Sequence, residues 1–258
     1  MLLTRLVPAG TSYVRIPSAK RSAMRIILET VQRGSRYWTA GTVAPDKALA
    51  FAERMAALYH ADATQAQRAY AKAKRRANTT LVMYHEPHEP DIRFWLLVTP
   101  GEGLVHEREK LRDAHAPRER LAWGTQYELV HVQRPRTHGG RRTWTWQLTD
   151  ERCAMLEAAM RTRASAHGGG DDRCDDLQSL ATALMRMPGF YGVRQQQLAL
   201  LALGRAVWER THRAGSTFEW PTRVPYLDKA FACYHRPEPL RLDVLVRALT
   251  ASRSASAA

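Results

Sequence analysis

The sequence predicts an α+β protein, with a small, mainly antiparallel sheet and packed helices followed by a helical C-terminal region. Three observations carry that prediction. Residues 23–166 mix short β-branched and aromatic runs with stretches of helical periodicity. From Thr149 onward the periodicity is helical throughout. Between the two regions, "HGGGDDRCDD" at 167–176 is a Gly- and Asp-rich break. The expected organisation is an irregular arm over 1–22, an α+β domain over 23–166, a linker over 167–176, a helical region over 177–251 and a disordered tail over 252–258.

Taken in order, "AMRIILETV" from residue 23 fits a helix or a strand, and "RYWTAGTV" from residue 36 fits a strand. Pro45 suits the first turn of a helix whose apolar face is Leu49, Ala52, Met55, Ala56 and Tyr59. Thr64 can cap a second helix, "QAQRAYAKAKRRAN", with the stripe Ala66, Ala69, Tyr70, Ala73 and Ala77. Strands "TLVMY" and "IRFWLLVT" flank an insert, "HEPHEPD", and a charged helix, "LVHEREKLRDA", follows "GEG". "QYELVHV" and "TWTWQL" form a second hairpin, with Trp144, Trp146 and Leu148 on one face and Thr143, Thr145 and Gln147 on the other. Helices follow in "ERCAMLEAAMRTRAS", "DDLQSLATALMRM", "VRQQQLALLALGRAVWERTH", "YLDKAFACYH" and "LRLDVLVRALTA". The tryptophans Trp38, Trp95, Trp144 and Trp146 read as core between sheet and helices, with stacking on single-stranded bases as the other use.

Charge points to a partner. The formal net charge is +14, and residues 1–78 hold fourteen Lys and Arg against four Asp and Glu. Such a field attracts phosphate polyanions, although an acidic protein could use it too. Arg68, Lys72, Arg75 and Arg76 fall close together at the helical period and make a candidate phosphate grip, unless they are simply a solvated helix end. A second grip is the loop "QRPRTHGGRR", with Arg134, Arg136, Arg141 and Arg142. A third candidate lies after a Pro-Gly turn, where Arg194, Gln195, Gln196 and Gln197 open a helix. Arg pairs with guanine and Gln with adenine in helix-turn-helix readers, but a helical hairpin inside a bundle explains the same pattern.

Enzyme signatures are weak. His85, Glu86, His88, Glu89 and Asp91 supply metal-ligand chemistry, yet on a hairpin tip neighbouring side chains alternate faces and need not converge. Asp171, Asp172, Asp175 and Asp176 could hold a cation or solvate a linker. No Walker A, dinucleotide-binding or nucleophile-elbow motif exists, so no cofactor is expected. Cys153, Cys174 and Cys233 follow no pairing or zinc spacing, and no run approaches a membrane span, so the expected location is cytoplasmic with no membrane partner.

Three stretches, "RYWTAGTVAPDKALAFAERMAALY", "RFWLLVTPGEGLVHEREKLRDA" and "MPGFYGVRQQ", together resemble uncharacterised proteins encoded on plasmids and integrative conjugative elements of proteobacteria. The resemblance covers most of residues 33–208. It implies a setting of DNA transfer, replication or maintenance, with protein partners from such a complex, and assigns no functional residue. The expectation is a nucleic-acid-binding accessory protein, with duplex DNA favoured over RNA. A metal-dependent nuclease or hydrolase built on the His-Glu-Pro loop, or a scaffold for an acidic protein, are the rivals.

Overall fold

A computed structural model describes residues 14–17, 19–87, 89–135, 139–166, 171–212, 218–225 and 240–256. It is α+β, and it divides into two compact units, one formed by residues 1–120 with 230–258 and the other by 121–229. The expected boundary at 167–176 is therefore displaced. The division falls between residues 120 and 121 instead, and the last helix belongs to the first unit, where sequence order does not put it.

The first unit contains strand β1 (Arg15–Ile16), helix α1 (Lys20–Gln32), strand β2 (Tyr37–Val43), helices α2 (Pro45–Tyr59) and α3 (Gln65–Ala73), and strands β3 (Thr79–His85) and β4 (Ile92–Val98). A short helix α4 (Leu104–Arg108) and strand β5 (Arg112–Asp113) follow. The expected helix over 104–114 thus stops after five residues. The arm is not irregular up to residue 22 either, since β1 and the start of α1 lie within it. The four-stranded sheet has the order β3-β4-β2-β5. Its strand pairs are antiparallel, from Thr79↔Val98 to His85↔Ile92 on one side of β4 and Tyr37↔Val98 to Val43↔Ile92 on the other.

Strand β4 shows how the layers close. Ile92, Leu96 and Val98 pack with Ala52, Met55 and Tyr59 of α2, while the alternate residues Trp95 and Leu97 are also buried. Period-two alternation puts these sets on opposite faces, so β4 is covered on both sides. Helix α1 packs across β3 and β4 through a face that includes Met24 and Ile27.

The second unit opens with β6 (Ala122–Trp123), β7 (Tyr127–Gln133) and β8 (Arg142–Leu148), a three-stranded antiparallel sheet in the order β6-β7-β8. Helices α5 (Asp150–Ser165), α6 (Asp171–Met185) and α7 (Tyr191–Thr211) pack on one another, and α7 packs on β8. Helix α6 begins at Asp171, so half of the expected linker is helical; residues 167–170 lie outside the described residues. Trp123, Trp146 and Leu148 are fully buried, and Trp144 stacks on His131 at 4.8 Å between ring centroids.

Strand β9 (Leu240–Arg241) pairs with β1, and helix α8 (Leu242–Ser256) places Leu242, Leu245 and Val246 against Ala48, Ala52 and Met83. The expected tail from 252 is helical to Ser256, and the expected helix over 226–235 lies outside the described residues.

Helix α7 meets β8 at its first turn, where the Gly192 amide donates to Thr145 Oγ1 at 3.0 Å. A Cβ on residue 192 would stand 2.5 Å from the Trp146 carbonyl oxygen, so the helix end can reach the strand only with glycine there. Gly192→Ala is expected to lower stability by about 1–3 kcal/mol through this overpacking. Urea unfolding followed by tryptophan fluorescence measures it, and an unchanged midpoint would contradict the packing described.

Candidate nucleic-acid interface

The basic segment begins with a well-formed helix start. Thr64 and Gln67 make a capping box, with the Thr64 amide donating to Gln67 Oε1 at 2.7 Å and the Gln67 amide to Thr64 Oγ1 at 3.4 Å. Beyond the cap, the expected apolar stripe is not what holds α3 down. No residue of α3 is buried, and Ala66, Ala69, Tyr70 and Ala73 face solvent.

Arg68 fastens the helix instead. Its Nε donates to the Ala63 carbonyl at 2.9 Å, its Nη2 to the Ala61 carbonyl at 3.1 Å and its Nη1 to Thr80 Oγ1 at 2.9 Å. Burial pushes the guanidinium below its ordinary pKa, and the three acceptors offset the cost of taking that charge out of water. Arg68 is therefore a clasp between the α2–α3 loop and β3, which corrects its expected place among the phosphate contacts.

The remaining cations sit on a bent segment, a knuckle, rather than along a helix. Helix α3 ends at Ala73, Lys74 caps it, and Arg75 turns left-handed at φ 55°. The Arg76 amide then reaches back to the Ala71 carbonyl at 2.9 Å. A left-handed conformation costs a residue with a Cβ about 1–2 kcal/mol, which is why glycine or asparagine usually stands there.

A second turn holds this knuckle from the far side of the β3–β4 hairpin. The Ala77 amide donates to the Glu102 carbonyl at 2.9 Å, and the Glu102 amide to the Arg75 carbonyl at 3.0 Å. Asn78 and Thr99 add a reciprocal pair, at 2.9 Å through the Asn78 carbonyl and 2.8 Å through Thr99 Oγ1. Gly101, at φ +138°, makes the approach possible: a Cβ there would lie 2.7 Å from both the Ala77 nitrogen and the Arg75 oxygen.

Lys72, Lys74, Arg75 and Arg76 are all exposed on this fixed backbone. Among the described residues none of the four has a carboxylate partner. Some exposed arginines elsewhere are paired, for example Arg36 with Asp113 at 2.6 Å and Arg205 with Glu209 at 2.8 Å. Lys74 Nζ lies 5.9 Å from the centre of the Tyr70 ring. The sequence grouped three of these cations by helical period and passed over Lys74, and nothing local to them announced Gly101.

Next to the knuckle is a cleft of about 710 Å³ between the end of α2, the start of α3 and the start of β3. Tyr59, His60, Gln67, Tyr70, Arg76 and Asn78 contribute to its walls. Tyr59 is held by a 2.6 Å bond from its hydroxyl to Glu109, and burial, reinforced by that carboxylate, pushes its pKa up to about 12. It therefore stays a neutral phenol across the ordinary pH range.

The other expected sites fare differently. In the second unit, Arg141 and Arg142 flank the β7–β8 turn as exposed side chains, and Arg134 lies over the Tyr191 ring at 5.4 Å. Arg136 lies outside the described residues. Arg194 is only 7% exposed and donates from Nε and Nη2 to the Val224 carbonyl at 3.2 and 3.0 Å. Gln196 brackets Leu148, accepting from its amide at 2.7 Å and donating to its carbonyl at 3.2 Å, and buried Gln197 donates to the Leu184 carbonyl. Arg194, Gln196 and Gln197 are thus internal hydrogen-bonding groups that anchor α7, and of the expected base readers Gln195 alone among the described residues is exposed.

The His-Glu-Pro loop is spent on ion pairs. Glu86 meets Lys20 at 3.2 Å and Arg93 at 3.8 Å, Glu89 meets Arg93 at 3.3 Å, and Asp91 meets Arg253 at 3.4 Å. His85 Nε2 lies 2.9 Å from the Glu89 carbonyl, and His88 lies outside the described residues. Among the described residues no three His, Cys, Asp or Glu side chains converge as a metal site would require. The side chains of Asp171, Asp172 and Asp175 also lie outside the described residues. No helix among the described residues is long and apolar enough to cross a membrane.

Gly101→Ala is expected to part the two turns at a cost of about 1–3 kcal/mol, since both the positive φ and the backbone contact oppose a side chain. Hydrogen exchange reports it directly. The Ala77 and Glu102 amides lose protection while the centre of β4 keeps it, and unchanged protection at Ala77 would contradict the role given to Gly101. Protein-family models, curated proteins and solved structures yield no match to this chain, so the use of the site rests on its own chemistry.

Proposed function

We propose that the protein binds nucleic acid, DNA in preference to RNA, through phosphate contacts from Lys72, Lys74, Arg75 and Arg76. One observation carries this reading: four neighbouring cations are exposed and, among the described residues, lack carboxylate partners on a backbone that is fixed from behind. Two of them, Lys72 and Lys74, also suit the negative end of α3, worth a few tenths of a kcal/mol. That bland role does not account for Arg75, which keeps a long cationic side chain at a left-handed position where glycine costs less. A phosphate backbone supplies the missing counter-charge and relieves the repulsion among the four.

Arg141 and Arg142, with Arg134, form a second basic patch on the other unit and are a secondary grip in this reading. The likeness to proteins of conjugative elements supplies the setting, an accessory role in DNA transfer, replication or maintenance. A metal-dependent hydrolase finds less support, because the acidic groups of the His-Glu-Pro loop already have cationic partners.

Fluorescence anisotropy of a labelled random duplex, titrated at several salt concentrations, tests the proposal. Each phosphate that a cation neutralises adds roughly −0.9 to the slope of log K against log salt. Replacing Lys72, Lys74, Arg75 and Arg76 by Ala is expected to weaken binding at low salt and to flatten that slope by roughly 0.9 for every phosphate released. An unchanged slope would mean the knuckle holds no phosphate. Binding instead to a discrete protein that survives nuclease treatment would favour an acidic partner.

A further inference from the structure

Phosphate contacts need only exposed cations, and they leave the cleft beside the knuckle unexplained. Its volume of about 710 Å³ falls in the range of sites that enclose a small ligand. Its walls join an aromatic side chain that reaches solvent, Tyr70 at 63% exposure, to two amides with unused atoms. Gln67 spends Oε1 on the helix cap and keeps its Nε2 donor, while Asn78 spends Nδ2 on the Arg68 carbonyl and keeps its Oδ1 acceptor. Arg76 belongs to both cleft and knuckle. A ring to stack on, a donor, an acceptor and a cation at the edge complement one nucleotide: base face, base edge and phosphate.

The acidic residues of the cleft sharpen the choice. Glu53 and Asp62 also line it, and their negative charge turns a phosphate away from the interior while tolerating a neutral base. The backbone of a bound strand is thereby directed towards Arg76, with the base pointing inward. We propose that the cleft receives an unpaired nucleobase of the strand whose phosphates the knuckle holds, so the preferred ligand is single-stranded or locally opened DNA rather than continuous duplex. This deepens the nucleic-acid reading above and rests on it. A continuous duplex would first have to unpair and extrude a base to use the cleft.

Anisotropy titrations of one labelled strand alone, in intact duplex and in a gapped duplex test this, with wild type, Tyr70→Ala and Tyr70→Phe. Single strand and gapped duplex are expected to bind more tightly than intact duplex. Tyr70→Ala weakens binding to those two by roughly tenfold, the scale of removing one base stack. Its salt slope stays that of wild type because every phosphate contact remains, and Tyr70→Phe, which keeps the ring, retains the affinity. Tyr70 is exposed, so neither variant disturbs the core. If Tyr70→Ala behaves as wild type on all three DNAs, or loses affinity equally for intact duplex, the cleft proposal is overturned and the knuckle reading stands. Absence of salt-dependent binding to any of the three overturns both.

Discussion

The backbone from Arg75 to Ala77 can lie against Glu102 only because residue 101 has no side chain. Two hydrogen bonds cross that contact in opposite directions, and a further pair joins Asn78 to Thr99 one step along. The contact fixes where α3 must end and where β3 must begin. It also accounts for a left-handed arginine, since the chain has to turn between the helix and the paired segment. The cations on the knuckle inherit their position from this constraint and not from helical periodicity.

Basic residues in this chain meet different fates, and three of them bear on the site. Arg68 is drawn inward and saturated by two carbonyls and a hydroxyl, so its charge serves the fold. Arg36, Arg93 and Arg205 are matched with carboxylates at the surface, where such pairs are worth little but do cancel the field. Among the described residues Lys72, Lys74, Arg75 and Arg76 have neither arrangement. The charge excess of +14 is thus unevenly spent, and the knuckle sets four of the exposed cations on a hydrogen-bonded backbone.

Most of the secondary structure was legible because alternation and helical period are local. Trp146 and Leu148 are buried on one face, as their alternation indicated. What the sequence hid was non-local. Leu242, Leu245 and Val246 return to the core of the first unit, far from it in sequence, and the Gly-rich break at 167–176 lies inside the second unit. Arg68 sits at the same period as Lys72, yet period reports a helix face and not whether two carbonyls wait beneath it. Arg194 and Gln196 looked like surface polar groups because a hydrogen-bonded buried side chain has the same letters as an exposed one. Gly101 belongs to an ordinary "GEG", and its meaning lies in a segment of chain on the other side of a hairpin.

In the proposed reading the fold sets the left-handed turn at residue 75, and a phosphate contact accounts for the cation carried there instead of glycine. Arg75→Gly tests that claim in one variant with two readouts, urea unfolding and the salt dependence of DNA binding. Glycine relieves the left-handed strain, so stability should rise by about 1 kcal/mol. Binding should weaken and its salt slope should flatten by about 0.9, the signature of one fewer phosphate neutralised. A variant that gains stability and binds DNA with the wild-type slope would contradict the account.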